Sequence, residues 1–238
     1  MLKNGRRMSA LQAAFPKTLP IMAGFLFVGT AYGIFMHSLG FHPLYAVLMS
    51  LLIFAGSMEF VAGHLLLGAF EPLHAVLLTL ILNSRHLFYG LSFLKTYHAA
   101  GIKKYYLIFG LCDESFAVNS SARIPAHIDT GWFMFFVTLL NHFYWVAGAT
   151  IGSLLGTHIP FNTEGLIFVM TALFTVIFLD KWLEESDHRS SIIGLGGSLL
   201  CLITIGPDQF ILPAFLLIIS SLVFMEKRPK RGQREAFE

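Results

Sequence analysis

Residues 72–94 read PLHAVLLTLILNSRHLFYGLSFL, an apolar run interrupted at its centre by Asn83-Ser84-Arg85-His86. A helix needs about 20 mostly apolar residues to cross the hydrocarbon core of a bilayer, so the run reads as a membrane segment. An ionisable residue at mid-depth costs roughly 2.5–3.5 kcal/mol on insertion scales and persists where it faces a bundle interior or a watery cavity. The oddity recurs twice, with Glu59 near the centre of Pro43–Phe70 and Asp113-Glu114 near the centre of Tyr105–Ala122. Charges of both signs at that depth point to a pathway or binding site for a polar solute crossing a membrane.

Composition agrees with this reading. Hydrophobic residues make up 55% of the 238 positions against 13% charged, and the mean hydropathy is +0.69. These values describe a polytopic, all-α membrane helix bundle and give no reason to expect nucleic acid as a partner. Lys3, Arg6 and Arg7 precede the first apolar run, but no short apolar region with a small-residue cleavage site follows, so that run is expected to stay as a helix. Cys112 and Cys201 both fall in apolar runs and offer neither disulfide nor zinc spacing. The chain has no phosphate-cradling GxxxxGK[ST] loop and no lysine in the interior of a span to tether retinal, Lys181 falling at a span's end. No enzyme activity, cofactor or metal is expected.

The 20-residue rule gives eight candidate spans, near Thr18–His37, Pro43–Phe70, Pro72–Leu94, Tyr105–Ala122, Trp132–Gly156, Leu166–Leu183, Ser191–Gly206 and Asp208–Met225. Seven is the alternative, because the last two are short and separated only by Gly206-Pro207-Asp208, so they can form one re-entrant hairpin. Gly56-Ser57 and Asn83-Ser84 are expected to break their helices near the midplane. The division is therefore a cytoplasmic segment 1–17, a transmembrane domain 18–225 and a basic cytoplasmic tail 226–238. With eight spans and both termini inside, the inside segments hold Lys3, Arg6, Arg7, Lys17, Arg123, Lys181, Arg189 and the basic residues of the tail. That asymmetry obeys the positive-inside rule. The exception is Lys95, Lys103 and Lys104, which fall outside; either they are tolerated there or a preceding segment does not cross fully. A weak internal echo sets Glu59-Phe60-Val61 beside Glu114-Ser115-Phe116 and Thr79–Asn83 beside Thr138–Asn141. Repeats of broken helices around a midplane site are a common plan of secondary transporters.

Several residues are candidates for the site. In FAGSMEF, residues 54–60, a break at Gly56 and Ser57 would free backbone groups beside the Glu59 carboxylate. Such backbone is tolerated in a membrane where it is buried in protein or lines a cavity. Arg85 carries a permanent charge on a planar fork suited to a carboxylate, which can belong to Glu59, Asp113 or Glu114, or to a substrate. His86 and His142 titrate near neutral pH and can relay protons, or can sit as neutral hydrogen-bonded rings. Asp113 and Glu114 are about 100° apart on a regular helix, so one of them is expected to face the site. Ser120 and Ser121 follow each acid by seven residues, making polar stripes that suggest interior faces. The substrate-binding set is thus Asn83, Arg85, Glu59, Gly56 and Ser57, and the proton-coupling set Asp113, Glu114 and His86. Gly148, Gly152 and Gly156, like Gly29 and Gly33, are spaced every four residues and suit close helix packing, within the chain or against another subunit. Asp180 beside Lys181 reads as an interfacial ion pair.

The combination LPIMAGFLFVGTAYG, FAGSMEFVA, LILNSRHLFYG, LCDESFAV and IGPDQFILPA, spread over residues 19–215, resembles the AzlC family of branched-chain amino acid exporter large subunits. The resemblance implies a permease of the bacterial inner membrane that exports valine, leucine, isoleucine and sometimes methionine. It also implies secondary transport and a small AzlD-type partner subunit of about four spans. Glu59 departs from the family pattern, which has Gln at this place. The bottom-up chemistry suits an amino acid: Arg85 with Asn83 for its carboxylate, the acids for its ammonium and the surrounding apolar residues for a branched side chain. The alternatives are a receptor or scaffold subunit that moves nothing, and a facilitator for another small zwitterion.

Overall fold

In the computed structural model the described residues are 2–69, 71–126, 128–158, 175–176, 178–179, 182–183, 187–206 and 210–226, and among them there are helices and no strand. The chain divides into two compact units, Met1–Met170 and Thr171–Glu238. Residues 159–165, most of the expected sixth span Leu166–Leu183 with Asp180 and Lys181, the Pro207-Asp208 turn and the tail 227–238 lie outside the described residues.

The first unit is built on two long helices, α1 (Leu2–Ser38) and α8 (Thr130–His158). Residues Gly5–Ser38 of α1, and all of α8, are long and apolar enough to cross a membrane. Their contacts rise together along both chains. The Arg7 guanidinium lies 4.4 Å from the centre of the Trp132 ring, and the Thr18 hydroxyl is 3.3 Å from that of Tyr144. Further along, Gly29 meets Gly148, Gly152 meets Thr30 and Gly156 meets His37. The two helices therefore run parallel, from a near side holding Arg7 and Trp132 to a far side holding Ser38 and His158. All five glycines of the sequence pattern lie in this contact, where a Cβ on Gly29 would stand 3.0 Å from the Trp145 carbonyl oxygen. The helix facing them belongs to the same chain.

Between α1 and α8 the chain makes two hairpins and one bent crossing. Helix α1 stops at Gly40, whose φ of +87° is open to glycine, and Phe41 N–H closes back on the Met36 carbonyl. Helix α2 (Pro43–Leu52) then descends from the far side, with Pro43 in its first turn, and the carbonyls of Ser50 and Leu51 reach His142 in the middle of α8. At Phe54–Gly56 the chain turns. Helix α3 (Ser57–Leu65) climbs back, passing Trp145 at Glu59, Tyr32 and Phe35 at Phe60, and Met36 and Leu39 at Gly63. Helices α4 (Pro72–Leu82) and α5 (Ser84–Ala99) meet at Asn83 with a bend of 54° and together form a third crossing. That crossing ends at the near side, where Tyr97 and Ala100 join Ala14 and Phe133 in the core.

The second hairpin enters from the near side. After the turn Gly101–Lys103, whose Lys103 ammonium lies 4.7 Å from the Trp132 ring, helix α6 (Lys104–Phe109) runs inward past Phe135. It ends with Gly110 in close contact with Thr138. Helix α7 (Asp113–Ser121) then returns alongside α5, with Asp113 at Arg85, Phe116 between Tyr89 and Phe93, and Asn119 at Tyr97. The connection to α8 closes at the near side, where the Asp129 carboxylate accepts the Trp132 N–H at 2.8 Å.

This corrects two of the expected spans. Pro43–Phe70 and Tyr105–Ala122 each enter and leave on one side of the unit, because each half-helix is only about 10–15 Å long at 1.5 Å per residue and the break between the halves reverses direction. The polar stripes read along α7 also fail: Ser120 and Ser121 are exposed and bond their own Ala117 carbonyl, since a nine-residue helix that starts at mid-depth reaches the surface there. Hairpin α2–α3 with crossing α4–α5, and hairpin α6–α7 with crossing α8, form two like units of opposite orientation. They hold the two stretches that echo in sequence.

The reversal also removes the charge exception. Arg6, Arg7, Lys95, Lys103, Lys104 and Arg123 all fall toward the near side, whereas the described far-side stretches, 39–42, 66–69 and Glu71, carry no lysine or arginine. In the second unit, helices Arg189–Ile205 and Ile211–Glu226 pack together, with Gly197 against Leu217 and Ile218 and Cys201 buried.

Candidate functional site

The hairpin tips and the bend at Asn83 converge at one depth. Phe54 in the first tip lies 6.4 Å, ring to ring, from Phe109 in the second, and both rest on the His142 ring, at 4.5 and 5.7 Å. The Tyr106 hydroxyl bonds His142 Nδ1 at 2.9 Å. Phe54 has φ +48°, a left-handed conformation that bulky side chains seldom adopt, and Gly56 has φ +34°. Strain of this kind costs about 1–3 kcal/mol and collects at functional sites.

A cavity of about 510 Å³ opens at this junction, a size common for small-molecule sites. Its inner end is formed by Ile53, Phe54 and Ala55 of the first tip with Asn83 and His86 of the bend. Its wall follows one face of α5, through Leu87, Gly90 and Leu94, opposite Ile108, Phe109 and Leu111 of the second hairpin. It reaches Tyr97, His98 and Lys104 at the near side. The walls are thus apolar and the two ends polar.

The helix ends give the junction a further property. Helices α3, α5 and α7 begin there and α2, α4 and α6 end there. N-termini carry partial positive charge and C-termini partial negative charge, so both signs are presented without any free ion. Broken membrane helices commonly meet substrates and ions in this way.

Among the sequence candidates, Asn83 and His86 lie on the cavity wall, whereas Gly56, Ser57, Arg85 and Glu59 do not line it; Ala55, which precedes Gly56, does. Arg85 Nη1 pairs with Asp113 Oδ2 at 2.6 Å, beside the cavity. Arg85 Nε and Asp113 Oδ1 have no partner among the described residues. Glu114 is half-buried and turns to Cys112, with Asp113 and Arg85 nearby. Glu59 is fully buried behind the first tip; its Oε1 accepts the Ala55 N–H at 2.9 Å and the Trp145 Nε1–H at 3.0 Å. In the second hairpin Ser115, also fully buried, does the corresponding work, accepting the Cys112 N–H at 2.9 Å.

Sequence reasoning missed Trp145, Tyr106 and Phe54. Each is an aromatic residue in an apolar run, and only its partner distinguishes it from lipid-facing neighbours. Lys104, at the cavity mouth, carried a signal in its discord with the charge rule.

Paired hairpins facing one another across a kinked helix make this a polytopic membrane protein with a polar junction inside. The family model for AzlC protein matches residues 20–159. The chain is 59% identical over 233 residues to the "Branched-chain amino acid transport protein AzlC" of Bacillus subtilis (strain 168), covering 98% of this chain and 92% of the relative. An "Uncharacterized membrane protein" of Haemophilus influenzae is 50% identical over 87% of this chain and 85% of its own length. The "Inner membrane protein YgaZ" of Escherichia coli (strain K12) is 29% identical over 71% and 72%. No solved structure matches. The chain belongs to the AzlC family.

Proposed function

We propose that this chain is the large subunit of a secondary-transport permease that exports valine, leucine, isoleucine and methionine from the cytoplasm across the bacterial inner membrane. The observation that carries the reading is the cavity, with its apolar walls and a polar inner end at three broken helices. A zwitterion's carboxylate fits the Asn83 amide and the N-termini around Ser57 and Ser84; its ammonium fits the carbonyl ends of α2 and α4. A branched side chain fits among Ile53, Leu87 and Ile108. Arg85 acts on this set from beside it, through Asp113.

The near side is the cytoplasmic one by the positive-inside rule, which puts the N-terminus inside. The cavity then opens toward the cytoplasm, as loading for export requires. The name and high identity of the Bacillus subtilis relative support the substrate class. Export is driven by the proton gradient, with Asp113, Glu114, His86 and Glu59 as the groups able to carry the proton. The small four-span AzlD-type subunit completes the transporter.

Leucine counterflow into proteoliposomes holding the chain with that small subunit tests the proposal. Saturable uptake, competed by valine, isoleucine and methionine but not by aspartate, is the expected result. Binding of leucine with no uptake of any of the four would make the chain a receptor and overturn the transport reading.

A further inference from the structure

Resting on the transport reading above, we propose that Glu59 is the residue that takes up and releases the coupling proton, and that its charge state sets how firmly the first hairpin tip is held against α8. The carboxyl group is fully buried, yet only one of its oxygens is used. Oε1 accepts both the Ala55 and Trp145 N–H groups, while Oε2 has no partner among the described residues. Beside it stands the Tyr32 hydroxyl, on a ring stacked on Trp145 and likewise without a partner. On α8, His142 lies one turn before Trp145 with its ring 4.5 Å from that of Phe54, and the Tyr144 hydroxyl is turned to Thr18. No lysine or arginine approaches Glu59 among the described residues.

The other acids are placed differently. Asp113 is engaged with Arg85, so loading it with a proton would break an ion pair. Glu114 is turned to Cys112, away from the cavity wall.

Position gives Glu59 its leverage. Ala55, whose N–H it holds, is itself part of the cavity wall, so the carboxyl group and the substrate space are separated by one residue. As a carboxylate, Glu59 takes two charge-assisted hydrogen bonds, which are roughly twice as strong as neutral ones. Protonation places hydrogen on Oε2, the proton coming from water that reaches the tip, and leaves two neutral bonds. Deprotonation returns the proton to water and tightens the tip again. A substrate that fits the cavity better with the tip held tight therefore disfavours the proton, and the proton disfavours the substrate by the same factor, as exchange of one for the other requires.

Proteoliposomes containing the chain and its small partner, loaded to follow leucine, give the test. Two rates are compared for wild type and Glu59→Gln: accumulation driven by an imposed pH gradient, and leucine–leucine exchange without one. Glutamine can keep both bonds on its own Oε1 but cannot titrate, so the ratio of accumulation to exchange should fall about tenfold, within the usual range of coupling factors. An unchanged ratio overturns the proposal and leaves Glu59 as a helix-break cap like Ser115. Should Glu59→Gln fail to assemble, Trp145→Phe, which removes one donor from Oε1, should displace the pH profile of accumulation; a profile of unchanged midpoint overturns the proposal equally. Absence of leucine transport by the wild type would overturn the transport reading and this proposal with it, whereas normal accumulation by Glu59→Gln overturns this proposal alone.

Discussion

Gly152→Val should abolish folded protein in the membrane. A Cβ at Gly152 would overlap the backbone of Thr30 itself, and one at Gly33 would overlap the backbone of Ala149 and Ser153. A flexible side chain can move aside, but here two helix backbones touch, so α1 and α8 would have to separate along their shared length. Overpacking in a well-packed core typically costs about 1–3 kcal/mol, and a clash between backbones lies at or above that upper end. Gly24→Ala is the control, because beyond its chain neighbours and the adjoining backbone of α1 no atom lies within 4 Å of the position its Cβ would take. The yield of monodisperse protein extracted in mild detergent measures both. Normal yield of Gly152→Val would contradict the parallel α1–α8 contact.

The Arg85–Asp113 pair supports the second large effect. Removing one member of a fully buried pair costs about 3–5 kcal/mol. These side chains keep 42% and 30% of their exposure, so the cost is expected nearer about 1–3 kcal/mol after screening. Arg85→Ala and Asp113→Ala should each lower thermal stability and leucine transport. The double variant should be more stable than the sum of the single losses implies, because neither charge is then left alone. Strict additivity would show that the pair contributes nothing. Arg85→Lys separates charge from shape: an ammonium can make the one contact seen at Asp113, so stability should largely return.

Much of this arrangement could be read from the residues. The breaks at Gly56 and at Asn83 are visible because polar or flexible residues interrupt apolar runs where lipid demands paired backbone groups, whereas the one before Asp113 is not, since Tyr105–Ala122 reads as one regular helix. Close packing of α1 and of α8 is visible in glycines four residues apart, but that the two pack on each other is not. What hydropathy cannot see is the direction of the chain beyond a break. Residues 57–65 are as apolar going back as going on, so a hairpin of two half-helices counts as one span. Lys95, Lys103 and Lys104 held the clue, since a single reversed segment before them brings them to the side of Arg6 and Arg7. The residues left Glu59, Asp113, Glu114 or a substrate as the Arg85 partner, and only the parallel course of α5 and α7 selects Asp113. Glu59 stood out as a buried acid, but its ties to Ala55 and Trp145 depend on the tip folding back against α8, which no local pattern encodes.

That hairpins enter from opposite sides and meet at a cavity open to the cytoplasm can be tested with single cysteines. In a background with Cys112 and Cys201 replaced, Gly40→Cys and Gly68→Cys bracket the first hairpin, and Ile102→Cys and Ala126→Cys the second. A membrane-impermeant maleimide applied to intact cells should label both members of the first pair and neither of the second, and inverted membrane vesicles should give the reverse. If Ile102→Cys and Ala126→Cys label from opposite sides, helices α6 and α7 cross the membrane as one span, and both the inverted hairpins and the cytoplasmic opening of the cavity are contradicted.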